Sequence, residues 1–150
     1  FHRGYETSMI EVAKLSKFNL TVVGNGAEGT TLYGAHKPAK VFIESKKEKT
    51  KEISCQISTM FSEKTNSEID DAYNTLKSEE YDLPKFADWG ELALKNGTGP
   101  AAPLIACQAG TLFHLCGLSL SFQEGYSAAR KVLQEGSCYK KLMQHIDNVF

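Results

Sequence analysis

The segment that follows Leu20-Thr-Val-Val23 constrains this chain more than any other. Glycines stand at 24, 26, 29 and 34 and a proline at 38. A proline inside a helix costs about 3 kcal/mol and a glycine about 1 kcal/mol relative to alanine. No helix of useful length therefore fits there. Leu20–Val23 predicts a strand, Val41-Phe-Ile-Glu44 predicts a second, and a glycine-rich connection joins them. That connection holds a formal G-x-G-x-x-G at Gly24, Gly26 and Gly29, with the carboxylate of Glu44 about 20 positions on. A dinucleotide-binding loop also needs a helix opening straight after the glycines, its N-terminus aimed at the phosphates. The run from Thr30 to Lys40 cannot supply one, because Gly34 and Pro38 interrupt it and only Leu32 and Tyr33 offer apolar weight. The dinucleotide reading fails on this missing helix.

With 150 residues, 41% of them hydrophobic, the chain has the material for one domain with a packed core. It carries 17 basic and 18 acidic residues, a net charge of −1, so composition alone points to no nucleic-acid partner. It begins at Phe1 with no charged segment leading into an apolar one. No signal peptide is expected, and a chain without an initiator Met reads as a fragment or processed product. The four cysteines, at 55, 107, 116 and 138, have no C-x-x-C spacing. They read as reduced thiols of a cytoplasmic protein rather than as a zinc site.

Along the chain, Ser8-Met-Ile-Glu11 has the capping-box pattern and predicts a helix from there to Lys17. Strands are expected at Leu20–Val23, Val41–Glu44 and Ile53–Ile57. The charge run Lys46–Lys51 lies between the last two, either as a solvated hairpin turn or as a basic, phosphate-contacting tip. Thr65-Asn-Ser-Glu68 is a second capping box, before Ile69–Leu76. Lys77–Asp88 reads as an acidic loop punctuated by Pro84, and Trp89–Leu94 as a short helix. Asn96-Gly-Thr-Gly-Pro100 breaks the chain. The apolar stretch from Ala101 to Leu120 approaches the length of a membrane span, about 20 residues. Pro103, Gln108, Gly110, His114 and Gly117 interrupt it, and it has no basic flank, so it predicts a buried helix capped by Gly117. Ser121-Phe-Gln-Glu124 is a third capping box, opening an amphipathic helix that Gly136 closes. A last helix is expected around Lys140–Asn148. The order predicts an α/β fold with a sheet flanked by helices and a helical C-terminal end.

Few side chains point to chemistry. His2, His36, His114 and His145 are scattered, and His114 reads as a hydrogen-bonded core residue. Glu28 is the one acid of the glycine-rich loop. It is either a solvated turn residue or, with substrate phosphates, a magnesium ligand. Asp70 and Asp71 fall within a predicted helix, where neighbours face different ways, and read as surface. Asn96–Pro100 is a plain connection or a set of backbone N–H groups for an anion.

Two stretches resemble one family. Leu20-Thr-Val-Val-Gly-Asn-Gly-Ala-Glu-Gly29 is similar to the Val-Val-His-Gly-x-Asp-Gly segment of anthranilate phosphoribosyltransferases, and His2-Arg-Gly-Tyr5 with Ser8-Met9 to the start of the helix before it. Pro103–Leu112, Gly117, Ser121–Gly125, Ala128-Ala129 and Gly136 resemble that family's Asn-Ala-Ala, Leu-x-x-x-Gly and Ser-Leu-x-Glu-Gly tail. The match runs in order over nearly the whole chain and implies the C-terminal half of such an α/β domain. It implies transfer of phosphoribose from phosphoribosyl pyrophosphate (PRPP) to an aromatic amine or related acceptor, as in tryptophan biosynthesis, with Mg²⁺ on the pyrophosphate. Asn25, Gly26, Glu28, Gly29 and Thr30 would border the ribose-phosphate, with no catalytic or metal-ligating residue assigned. The implied partners are the N-terminal half or a second chain, a homodimer being one form of this, and a PRPP-like small molecule, but no membrane. These 150 residues alone are expected to be inactive. With Glu28-Gly29 set on the family's Asp-Gly, its metal-binding Asp-Glu pair falls on Thr31 and Leu32, a hydroxyl and an alkyl group. That departure resembles the family's paralogues lacking the pair, some of which bind nucleic acid. The second reading is therefore a non-catalytic paralogue that binds single-stranded nucleic acid.

Overall fold

The computed structural model describes residues 5–16, 18–25, 39–45, 48–80 and 82–149. The chain is an α/β protein with a helical C-terminal end. It divides into two compact units, Phe1–Ser62 and Glu63–Phe150.

The first unit holds α1 (Glu6–Leu15), β1 (Leu20–Asn25), β2 (Ala39–Ser45), β3 (Glu48–Cys55) and the single turn α2 (Ile57–Met60). The three strands form one antiparallel sheet in the order β1-β2-β3. Val22 pairs with Ile43, and Val41 with both Gly24 and Ile53. Alternation then places Val23 and Phe42 together on the opposite face. α1 packs on β1 and β2, buries Ile10, and brings Lys14 Nζ to 4.0 Å from Glu44 Oε2.

Several boundaries in this unit differ from those read in the sequence, among them the end of β1 at Asn25 and the span of β2 from Ala39 to Ser45. α1 begins at Glu6 rather than Ser8, because Met9 N already donates to Tyr5 O at 2.9 Å. Ser8 thus has helical neighbours instead of unpaired N–H groups to cap, and Glu11 pairs with Lys14 at 2.7 Å. The charge run is not all turn. Glu48–Lys51 belongs to β3, held by the ladder to β2 and by a hydrogen bond from Thr50 Oγ1 to Glu44. Lys46 and Lys47 lie outside the described residues. β3 ends at Cys55, and Ile57, expected as strand, is fully buried at the start of α2.

The second unit holds α3 (Glu63–Ser78), α4 (Leu83–Asn96), α5 (Ala101–Leu115), α6 (Phe122–Gln134) and α7 (Ser137–Val149). α3 starts ahead of the expected cap, and Thr65 lies inside it on the buried stripe with Ile69 and Ala72. Pro84 starts a helix instead of marking a loop. It sits in the first turn of α4, where its missing N–H has no intrahelical partner to lose, and Asp82 caps that turn by accepting from Lys85 N at 3.3 Å. α5 is buried at Ala102, Pro103, Leu104, Ala106, Cys107, Gly110 and Thr111, which accounts for its nearly continuous apolar sequence. Among the described residues no helix is long and apolar enough to cross a membrane.

The helical hairpin of α5 and α6 is the most closely packed pair of this unit. α5 ends as a Schellman turn: Gly117 N donates to His114 O at 3.0 Å and Leu118 N to Phe113 O at 2.8 Å, with Gly117 at φ 74°. Ser121 then caps α6, its hydroxyl accepting from Glu124 N at 3.1 Å, while the Glu124 carboxylate accepts from Leu120 N at 3.0 Å. The capping box read at this position is therefore present, with its return bond one residue further back. The two helices cross at Gly110 and Gly125. A Cβ on Gly125 would stand 2.2 Å from Gly110 O, and one on Gly110 2.4 Å from Tyr126 N. Beyond α6, Gly136 leads into α7, which starts at Ser137, three residues before the expected Lys140.

Candidate functional site

The residues marked by the sequence follow one another in the chain from Asn25 to Thr30. Of these, Asn25 is the last residue of the strand and pairs across the sheet with Lys40. Gly26, Glu28, Gly29 and Thr30 lie outside the described residues, as do Thr31, Leu32 and His36. β1 runs through Gly24, the first glycine of the G-x-G-x-x-G, which pairs with Val41, and ends at Asn25.

Lys40, which sequence reasoning passed over, is the cross-strand neighbour at that end. Its ammonium lies 2.7 Å from Glu52 Oε1 on β3. The hydrogen bond to Glu52 and the charge of that carboxylate raise the Lys40 pKa, so the group is cationic across the physiological range. The pair is solvent-exposed, where an ion pair positions a charge more than it stabilises a fold. Only register could have revealed Lys40: its distance from Asn25 in sequence hides the pairing.

The second unit contains two polar clusters that the sequence did not suggest. In one, Glu68 on α3 accepts from Tyr126 OH at 2.8 Å and pairs with Arg130 Nη2 at 3.1 Å. Arg130 Nη1 also donates to Gly97 O at 3.0 Å, at the C-terminal end of α4. Arg130 thereby ties α3, α4 and α6 together, and its charge suits the negative end of α4. Burial, with the bond to Glu68 second, pushes the Tyr126 pKa far above its ordinary value, so the hydroxyl remains a donor. These bonds use both guanidinium amino groups and the phenol, which suits a structural clasp.

The other cluster borders a cleft of about 400 Å³ between α4 and α7. Ala87, Gly90, Leu94, Leu142 and Met143 form its apolar wall. Glu91 on its rim accepts from Tyr139 OH at 3.0 Å and pairs with Lys95 Nζ at 2.6 Å. Lys95 also stands 4.8 Å from the centroid of the Tyr139 ring. The bonds from Lys95 and then Tyr139 lower the Glu91 pKa, so it is ionised at neutral pH.

Other candidates have local structural roles. His114 Nδ1 donates to Ser119 O at 3.1 Å, and its ring packs edge-on against Phe122 with centroids 4.3 Å apart. It braces the turn between α5 and α6, as a part-buried hydrogen-bonded histidine. In the Asn96–Pro100 connection the Asn96 side chain accepts from both Thr98 N and Thr98 Oγ1, so the Thr98 N–H is already engaged. Cys55 and Cys107 are buried and Cys116 is exposed, all as free thiols. Burial pushes the Cys55 thiol up to about 11. Among the described residues no group of His, Cys, Asp and Glu is arranged to hold a metal ion.

No family model and no curated protein sequence matches this chain.

Proposed function

We propose that this chain is the C-terminal part of a phosphoribosyltransferase-like domain of the glycosyltransferase type. The complete protein would transfer phosphoribose from PRPP to an aromatic amine or a related acceptor. The observation that carries this reading is that β1, which leads into the glycine-rich segment, ends at Asn25 across from Lys40. A glycine-rich segment at a strand end can present backbone N–H groups to phosphate, and a neighbouring cation adds to the attraction. The C-terminal residues behind the resemblance support the same reading. Gly117 closes α5, Ser121 and Glu124 cap α6, Gly125 meets Gly110, and Ala129 is buried.

In such a transfer the bond from the anomeric carbon to pyrophosphate breaks and a bond from that carbon to the acceptor nitrogen forms. The pyrophosphate leaves with the electron pair, and the amine gives up its proton. The domain contributes positioning and neutralisation of the departing charge. The family's Mg²⁺ does not fit this chain's donor set, because Thr31 and Leu32 stand where its carboxylates would be.

The test is calorimetric titration of the full-length protein with PRPP, with and without Mg²⁺, and then with a short single-stranded oligonucleotide at two salt concentrations. PRPP binding without oligonucleotide affinity is the expected result. Salt-sensitive oligonucleotide binding without PRPP binding overturns the proposal in favour of the nucleic-acid-binding paralogue.

A further inference from the structure

We draw no further inference here: the strongest candidate, the surface patch along α1 made by Tyr5, Met9, Val12, Leu15 and Phe18, is an unpartnered apolar face, and nothing in the structure shows what covers it.

Discussion

Gly125→Ala should loosen the α5–α6 hairpin and destabilise the protein, whereas the same substitution at Gly90, inside α4, should stabilise it. A Cβ at residue 125 would lie 2.2 Å from Gly110 O and 2.9 Å from Gly110 C. Both atoms are backbone, so no side chain can swing aside, and the helices must separate by roughly 1 Å to restore ordinary contact. That separation opens gaps around Tyr126, Ala129, Ala106 and Cys107, which are buried in these two helices. Overpacking costs about 1–3 kcal/mol, and backbone against backbone places this site at the upper end. Alanine recovers at most about 1 kcal/mol of helix propensity, leaving a net loss of about 2 kcal/mol. For a unit the size of Glu63–Phe150 that lowers Tm by roughly 8–16 °C. At Gly90, inside α4, an added Cβ meets nothing within 4 Å. There the propensity gain stands alone, and stability should rise by about 0.5–1 kcal/mol. Thermal and urea denaturation followed by circular dichroism measures both variants against the parent. A Gly125→Ala protein as stable as the parent would refute the close crossing, and a destabilised Gly90→Ala protein would refute the open space at Gly90.

Ser121→Ala removes the acceptor for Glu124 N and should cost about 1 kcal/mol, read as a lower urea midpoint with an unchanged slope. Tyr126→Phe removes the donor to Glu68 and should cost about 1 kcal/mol. The pH dependence of the same tyrosine has a definite sign. Its folded pKa is raised, so its contribution is intact below the unfolded value near 10 and is lost as pH climbs above it, when the unfolded chain releases the proton first. In an alkaline absorbance titration, Tyr126 should therefore ionise only with unfolding, and that step should vanish in Tyr126→Phe. An aromatic disulfide reagent at mildly alkaline pH should label exposed Cys116 quickly, and buried Cys55 and Cys107 only after denaturant is added. Rapid labelling of all four thiols in the native protein would contradict the described core.

The candidate site was legible only in part, because its parts are read by different rules. Leu20–Val23 is short and apolar, so the strand is written in local sequence, while its end is not: pairing with β2 carries it through Gly24 to Asn25. Lys40 beside Asn25 is a matter of cross-strand register, which no local pattern encodes. Arg130 and Glu68 are 62 positions apart in sequence and look like ordinary surface charges until three helices bring them together. The capping boxes divide in the same way. Ser121 follows a glycine-terminated helix, so the N–H groups after it have no earlier acceptor and the cap forms. Ser8 and Thr65 carry an equally good pattern, but helix already precedes them, and an upstream carbonyl takes the bond a cap would accept.

By itself the sequence determined the α/β class, the strand beginning at Leu20, the break at Asn96–Pro100, and the stop at Gly117 followed by the start at Ser121. Each rests on interactions within a few residues: backbone dihedral limits, caps and apolar periodicity. Tertiary structure alone decided that Glu48–Lys51 is strand, that Gly110 and Gly125 touch, and that Lys40 stands beside the end of β1. These depend on partners distant in the chain, and only folding brings together the surfaces that choose between one locally acceptable conformation and another.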